Sequence, residues 1–188
     1  MIKLIVGLGN PGRQYEKNRH NAGFLFLDSL VESCGQMWAG ESKFHGHVAN
    51  CLFGREAVIL LKPQTFMNKS GLSVAAISRF YKIKVEEILV VHDELDLSVG
   101  VVRLKKGGGH AGHNGLRDII AHLGSRDFCR IRIGIGRPLA GRSVADYVLS
   151  NPSKNEIERM GVACNAVELK IGDIVSGDVA LSMSELNR

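Results

Sequence analysis

Residues suited to acid–base chemistry lie in two separate parts of this chain. Asn10 and His20 belong to a polar, glycine-rich stretch, residues 7–24, that follows a short apolar run. Asp93 follows a second apolar run at 88–91. A histidine held by a carboxylate can take a proton from water near neutral pH, because the carboxylate fixes the tautomer and stabilises the imidazolium. If His20 and Asp93 meet in the fold, they form a candidate general base.

A second glycine-rich loop, residues 107–115, carries His110, His113 and Asn114 into a predicted helix. Asn68 falls at another predicted helix start. An amide in such a position either caps the helix or holds a peptide or a developing oxyanion, and both interpretations stay open. No serine lies in a Gly-x-Ser-x-Gly context and no cysteine in an exposed polar loop, so water is the simplest nucleophile.

The pattern Gly7-x-Gly9-x-x-Gly12 matches a dinucleotide-binding fingerprint, which makes a nicotinamide-dependent oxidoreductase one alternative. The helix should then begin inside the fingerprint, so that its N–H groups face a pyrophosphate. Pro11 removes one of those N–H groups. The acidic residue expected after a second strand is also missing, with Asp28 in mid-helix instead. A sharp turn and a close backbone approach explain the glycines better.

A zinc hydrolase is another alternative, since His20, Asp93, His110 and His113 would supply enough ligands. The helical spacing of zinc proteases is absent, however, and a glycine-rich loop fixes ligands poorly. The sequence therefore favours a site that uses no metal and no other cofactor.

Positive charge is concentrated in one segment of the chain. Residues 103–142 hold nine basic residues and two acidic ones, a net charge of +7 in a chain whose total is +5. Lys105, Arg130 and Arg132 alternate with apolar residues, so the predicted strands present them on a polar face. Such a face is either simply solvated or binds phosphate, for which arginine offers bidentate geometry.

The apolar patterns predict strands alternating with helices, with one hairpin inserted. Strands are predicted at 2–6, 45–53, 57–61, 88–91, 99–105 and 129–135, and helices at 21–34, 65–81, 114–123, 144–149 and 153–171. Residues 35–43 are predicted to be a loop. This order indicates an α/β fold, a single-domain three-layer α/β/α arrangement with a twisted mixed β-sheet flanked by helices. Ligands bind at the C-terminal strand ends of such sheets, where the His20 loop and Asp93 would lie.

Length and composition narrow the class of protein further. The 188 residues suit one domain, 1–188, with a weakly structured tail over 179–188. No run approaches the 18 apolar residues of a membrane span, and the N-terminus lacks the features of a signal peptide. The four cysteines show no Cys-x-x-Cys spacing, so we expect reduced thiols and a cytoplasmic protein.

Ordered blocks along almost the whole chain resemble the bacterial peptidyl-tRNA hydrolases. They are Gly-Leu-Gly-Asn-Pro-Gly at 7–12, Arg-His-Asn-Ala-Gly-Phe at 19–24, Lys-Pro-Gln-Thr-Phe-Met-Asn-Lys-Ser-Gly at 62–71, His-Asp-Glu-Leu-Asp-Leu at 92–97, Gly-Gly-Gly-His-Ala-Gly-His-Asn-Gly-Leu at 107–116 and Arg-Ile-Gly-Ile-Gly-Arg-Pro at 132–138. The resemblance implies cleavage of the ester between a peptide and the 3′-terminal ribose of tRNA, which recycles tRNA from prematurely released peptidyl-tRNA. It also implies a monomer without a metal, whose partner is the acceptor stem and 3′ CCA end of peptidyl-tRNA.

The resemblance assigns roles to individual residues of this chain. By similarity, His20 is the general base and Asp93 the acid that orients it. The groups that shape the crevice and hold the peptide and terminal nucleotide would be Asn10, Tyr15, Met67, Asn68, His113 and Asn114. Lys105 and Arg132 match a pair that clamps the tRNA 5′ phosphate, and 138–150 matches a lid. Two departures are Asn18, where threonine is usual, and the short acidic C-terminus.

These observations combine into a mechanistic hypothesis. His20, held by Asp93, deprotonates a water molecule that attacks the ester carbonyl, while Asn114 and Asn10 position the water or the oxyanion. A tRNA-binding module without catalytic activity would carry the same basic face and is the rival from another class.

Overall fold

The fold is described from a computed structural model over residues 1–187. Its strands are β1 (Leu4–Gly7), β2 (Ala39–Glu41), β3 (Gly46–Phe53), β4 (Glu56–Pro63), β5 (Ile88–Glu94), β6 (Val102–Lys106) and β7 (Cys129–Gly134). Its helices are α1 (Ala22–Ser33), α2 (Ser70–Tyr81), α3 (Asn114–Leu123), α4 (Val144–Val148), α5 (Lys154–Glu168), α6 (Ile171–Ser176) and α7 (Val179–Leu186). None of these helices is long and apolar enough to cross a membrane.

The seven strands form one mixed sheet in the order β2-β3-β4-β1-β5-β7-β6. The four central strands, β4, β1, β5 and β7, run parallel to one another. Antiparallel strands complete both edges, with the predicted hairpin β3–β4 on one side and β6 on the other. The C-terminal ends of four parallel strands therefore meet along one edge of the sheet.

Helices cover both faces of this sheet, as the buried apolar residues of β1 and of the first half of β5 require. On one face, Ile5 and Val91 pack in a cluster with residues of α1, α5 and α6. On the other face, Leu4, Val6 and Val90 pack with residues of α2 and α3. The predicted three-layer α/β/α fold is confirmed.

Several element boundaries differ from the sequence prediction: the strand predicted at 99–105 begins at Val102, and the helix predicted at 153–171 is divided into α5 and α6. Two further differences concern the edge of the sheet and the site. The predicted loop at 35–43 contains β2, a three-residue edge strand whose polar sequence gives no strand signal. Helix α2 begins at Ser70 rather than at Thr65, after a 3₁₀ turn over Met67–Lys69. In that turn the Met67 N–H donates to the side chain of Asn10.

The prediction of a weakly structured tail over 179–188 is also corrected, because residues 179–186 form α7. Three of its apolar residues, Val179, Met183 and Leu186, pack on the core. The side chain of Asn187 then hydrogen-bonds to both the N–H and the carbonyl of Leu104, which satisfies part of the exposed edge of β6. Residue 188, the last of that predicted tail, lies outside the described residues.

Candidate active site

A cavity of about 690 Å³ opens at the edge where the parallel strands end. It gathers side chains from the loops after β1 and β4, from the end of β5, and from β6, β7, the glycine-rich loop and α4. Among its lining residues are Asn10, His20, Met67, Asn68, Asp93, Lys105, His113, Asn114 and Arg132. The ten predicted site residues are spread over the sequence, and nine of them line this one cavity. The tenth is Tyr15.

Tyr15 is the exception among the predicted site residues. It ends a 3₁₀ turn, Arg13–Tyr15, is half-buried there and does not line the cavity. The chain returns to the cavity only at the next 3₁₀ turn, Arg19–Asn21, which carries His20. A residue can therefore share a loop with the site without reaching it.

Close packing of α1 on the sheet brings His20 to Asp93. A Cβ atom on Gly23 would lie 2.3 Å from the carbonyl oxygen of Val91 and 2.4 Å from the backbone nitrogen of Leu8. Only glycine fits this approach, so the start of α1 rests directly on β1 and β5. His20 directly precedes this contact in sequence. The glycines of the stretch thus serve helix–strand packing, and α1 starts too late for a dinucleotide fingerprint.

The imidazole of His20 is held by Asp93 through one nitrogen. Its Nδ1 lies 2.9 Å from Oδ1 and 3.0 Å from Oδ2 of that carboxylate. Asp93 is buried, but its two histidine neighbours hold its pKa below the usual range, so its carboxylate accepts and Nδ1 of His20 carries the proton. Nε2 of His20 then has a free lone pair, and it has no hydrogen-bond partner within residues 1–187. This is the tautomer that a general base needs.

The electrostatics of the His20–Asp93 pair favour the charged form of each side chain. Burial by itself lowers the pKa of His20, but the charge of Asp93 and its hydrogen bond outweigh that effect and raise the pKa above 6.5. Burial by itself raises the pKa of Asp93, but the charges and hydrogen bonds of His20 and His113 hold it well below its usual range. Asp93 is thus a carboxylate at every physiological pH.

Asp93 has a second histidine partner, which the sequence did not reveal. Nε2 of His113 lies 3.0 Å from Oδ1 of Asp93. Nδ1 of His113 accepts hydrogen bonds from the N–H groups of Gly115 and Leu116, so it carries no proton and Nε2 donates. His113, not Asn114, is therefore the N-cap of α3, which corrects the capping interpretation of Asn114. Asn114 is instead exposed on the first turn, in the cavity wall.

Asn10 is fixed by three hydrogen bonds that leave its amide nitrogen available. Its backbone N–H and carbonyl pair with the side chain of Asn21 at 2.9 and 3.0 Å. Its Oδ1 accepts the Met67 N–H at 2.7 Å. Nδ2 of Asn10 has no protein partner in the described part of the chain, so it can donate to a ligand in the cavity. Asn68 also lines the cavity, exposed and without a capping bond.

Of the three basic residues on the polar face, two are accessible and one is not. Lys105 is exposed in the cavity wall. Arg132 donates from Nε to Glu94 at 3.0 Å, which leaves its two terminal nitrogens free of protein hydrogen bonds among the described residues. Arg130 is buried and donates to the carbonyls of Gly108 and Gly109. Arg130 lines the cavity as well, but both of its terminal nitrogens are engaged by loop carbonyls, so they are not free for a phosphate.

Sequence reasoning missed several residues that line the cavity. Phe66 is 58% exposed there. Glu94 was not singled out, although it directly follows Asp93. His92 is buried, and burial lowers its pKa to about 3, so it is a neutral ring beside His113. The run His-Asp-Glu at the end of a buried strand was the available signal.

Three of these side chains could also hold a metal ion. The ligand atoms of His20, Asp93 and His113 lie within 4.8 Å of one another. The fourth predicted ligand, His110, is not in this group, and its Nδ1 accepts the N–H of Gly112. Here the nitrogens of His20 and His113 that approach Asp93 are engaged by its carboxylate.

Fold and site together define an α/β protein with a buried histidine–carboxylate pair beside a basic cavity wall. Comparisons with known proteins specify the family. The family model for peptidyl-tRNA hydrolase matches residues 4–188. A peptidyl-tRNA hydrolase of Methylococcus capsulatus is 53% identical over 187 residues, covering 100% of each chain. One from Coxiella burnetii is 53% identical over 186 residues, covering 99% of this chain and 97% of its own.

Solved structures agree with these sequence relationships. A crystal structure of peptidyl-tRNA hydrolase in complex with n-propanol matches with a TM-score of 0.95 and 47% identity, covering 99% of this chain and 94% of that one. The peptidyl-tRNA hydrolase of Acinetobacter baumannii matches with a TM-score of 0.95 and 46% identity over the same shares of the two chains. The chain belongs to the peptidyl-tRNA hydrolase family.

Proposed function

We propose that this chain cleaves the ester between a peptide and the 3′-terminal ribose of tRNA, with water activated by His20. Membership of the peptidyl-tRNA hydrolase family supports the reaction. The single observation that carries the mechanism is the bond from Nδ1 of His20 to both oxygens of Asp93, which leaves Nε2 free at the cavity.

In the proposed reaction, Nε2 of His20 takes a proton from a water molecule as the oxygen attacks the ester carbonyl. The resulting imidazolium is stabilised by the ionised Asp93. The negative charge on the carbonyl oxygen is stabilised by amide donors, for which Nδ2 of Asn10 and of Asn114 are available. When the carbon–oxygen ester bond breaks, the proton passes from His20 to the departing ribose oxygen. The products are a free peptide and a tRNA with an intact ribose.

The basic side of the cavity is the proposed tRNA contact. Lys105 and the free terminal nitrogens of Arg132 would bind a phosphate of the acceptor stem, with the 3′ CCA end directed toward His20. Residues 138–150 would form a lid over this end, since Val144, Val148 and Leu149 line the same cavity. A monomeric state and a cytoplasmic location stay predictions.

The test is hydrolysis of N-acetyl-aminoacyl-tRNA compared with free-amine aminoacyl-tRNA, in the presence of EDTA. Wild type is expected to release the N-blocked amino acid, and His20→Ala to lose about 10²- to 10⁴-fold in turnover, the usual contribution of a general base. His122→Ala is the matched control, because His122 is exposed on α3 and does not line the cavity.

Three other outcomes of this test would each favour a different function or mechanism. A folded His20→Ala variant with near-normal turnover would refute the proposed base. Binding of tRNA by wild type without ester cleavage would favour the non-catalytic binding module. Loss of activity specifically on chelation would favour a metal bound by His20, Asp93 and His113.

A further inference from the structure

Arg19, the residue before His20, is a buried cation whose two terminal nitrogens both have hydrogen-bond partners, although its Nε has none among residues 1–187. Its side chain is 8% exposed. Nη2 lies 3.0 Å from both carboxylate oxygens of Glu156, near the start of α5. Nη1 donates to Oγ of Ser150 at 2.7 Å and to the carbonyl of Asn151 at 3.0 Å. The guanidinium also stacks on the ring of Tyr147, 4.3 Å from its centroid.

These partners tie the His20 loop to one end of the segment 138–150. The backbone N–H of Arg19 also donates to the carbonyl of Ser150, at 3.1 Å. The main chain and the side chain of Arg19 therefore both bind Ser150. Just before it along the chain, the side chains of Val144, Ala145, Val148 and Leu149 line the cavity. Arg19 does not itself line the cavity, so its influence on a substrate passes through these residues.

The other end of the segment is held quite differently. There Arg137 pairs with Asp96, and the two side chains are 65% and 48% exposed. Exposed pairs of this kind contribute little, because water and salt screen them. The Arg19 contacts are therefore the firm attachment of the segment, together with the bond from the Tyr147 hydroxyl to the carbonyl of Ile135.

We propose that Arg19 is a positioning residue that fixes the α4 wall of the cavity relative to the His20 loop, and so determines how tightly the 3′ end of the substrate binds. The proposal rests on the function proposed above. Glu156 is its counter-ion, and the Ser150 and Asn151 carbonyls with the Ser150 hydroxyl are the contacts through which it acts.

The expected effect is on KM rather than kcat, because His20 has supports of its own. Its ring is held by Asp93, and its loop is closed by the pairing of Asn21 with Asn10. None of these bonds involves Arg19. A loosened α4 wall would weaken binding of the substrate, whereas the base and its carboxylate would keep their geometry.

The test compares Arg19→Lys with wild type. Lysine keeps a positive charge for Glu156 but has one nitrogen, so it cannot also hold Ser150 and Asn151 as the planar fork does. We expect KM for N-acetyl-aminoacyl-tRNA to rise about tenfold while kcat stays within about threefold, the signature of lost binding rather than lost chemistry. Ser150→Ala, which removes one of the contacts, should shift KM in the same direction by less.

Hydrogen exchange provides a readout that does not depend on activity. In Arg19→Lys the amides of Tyr147, Leu149 and Ser150 should exchange faster than in wild type, while amides of β1 and β5 keep their protection. A lowered kcat at unchanged KM, with faster exchange throughout, would reduce Arg19 to a general stabiliser and overturn the proposal. Unchanged KM and unchanged exchange at these three amides would overturn it as well. An inactive wild type would refute the proposed function, and the exchange data would still decide the role of Arg19.

Discussion

Two groups of charged residues line the same cavity and differ in how they are held. In the histidine cluster (His20, Asp93 and His113), each side chain is at most 12% exposed and hydrogen-bonds to another member. In the basic rim (Lys105 and Arg132), Lys105 is exposed and makes no side-chain hydrogen bond within residues 1–187, and Arg132 is anchored only through Nε. The cluster is ordered before any substrate arrives, whereas the rim keeps its donors for a ligand.

This difference separates chemistry from capture in physical terms. Charges in the cluster interact at short range in a region that water barely reaches, so added salt should hardly affect them. Charges in the rim act through solvent and lose strength as salt is added. Changes in the cluster should therefore appear in kcat and in the pH profile, and changes in the rim in KM and its salt dependence.

The largest effect is expected for Asp93→Asn. The amide keeps the shape but removes the charge that orients His20 and stabilises its protonated form, so kcat should fall by between about 10²- and 10⁴-fold. Without that charge, burial dominates, and the pKa of His20 should drop below 6.5. The measurement is the pH profile of the residual activity, whose acid limb should move to lower pH. An acid limb at the wild-type position would show that the limb does not report His20.

The wild-type pH profile is a second test of the cluster. Only neutral His20 can accept a proton, and its pKa is raised above 6.5. The value of kcat/KM should therefore increase tenfold per pH unit on the acid side, bend at a pH above 6.5, and then level off. Circular dichroism at each pH separates this titration from unfolding. A bend below pH 6 in folded protein would contradict the assignment.

Substitutions in the basic rim should have smaller effects than those in the histidine cluster, and the effects should appear in KM and in its salt dependence. Lys105→Met and Arg132→Met should each raise KM, and each should reduce the slope of log KM against log salt by about 0.7 to 0.9, the value of one lost phosphate contact. Arg55→Met is the matched control, because Arg55 is exposed in the β3–β4 turn and does not line the cavity. Salt slopes equal to that of wild type in both rim variants would remove the proposed clamp.

The contrast also explains which features could be predicted from the sequence. The parallel centre of the sheet was predictable because residues 4–6 and 88–91 are apolar on both faces, and strand ends then bring His20 near Asp93. The second partner of Asp93 was not, since a helix start shows the same pattern whether His113 or Asn114 caps it. Helix α7 was missed because its packing against the core is a long-range contact with a weak local signal.

The two arginines of β7 show the same limit and give the sharpest test of the comparison. Alternation predicts that Arg130 and Arg132 share a face, but not that the carbonyls of Gly108 and Gly109 will take up the guanidinium of Arg130. Arg130→Met, the same substitution two residues away from Arg132→Met, should leave the salt slope unchanged, because its charge is not offered to phosphate.

The Arg130→Met substitution should instead lower the stability of the protein. Removing the guanidinium leaves two loop carbonyls without their donor, which we expect to lower the free energy of unfolding by about 1–3 kcal/mol, measured by urea denaturation. Arg132 has one hydrogen-bond partner, Glu94, and sits half-buried, so its loss should cost less. If the two variants exchanged these behaviours, Arg130 would be the phosphate ligand and Arg132 the structural residue. Arg130 would then belong to the accessible basic rim, and Arg132 to the residues that are held in place by the fold.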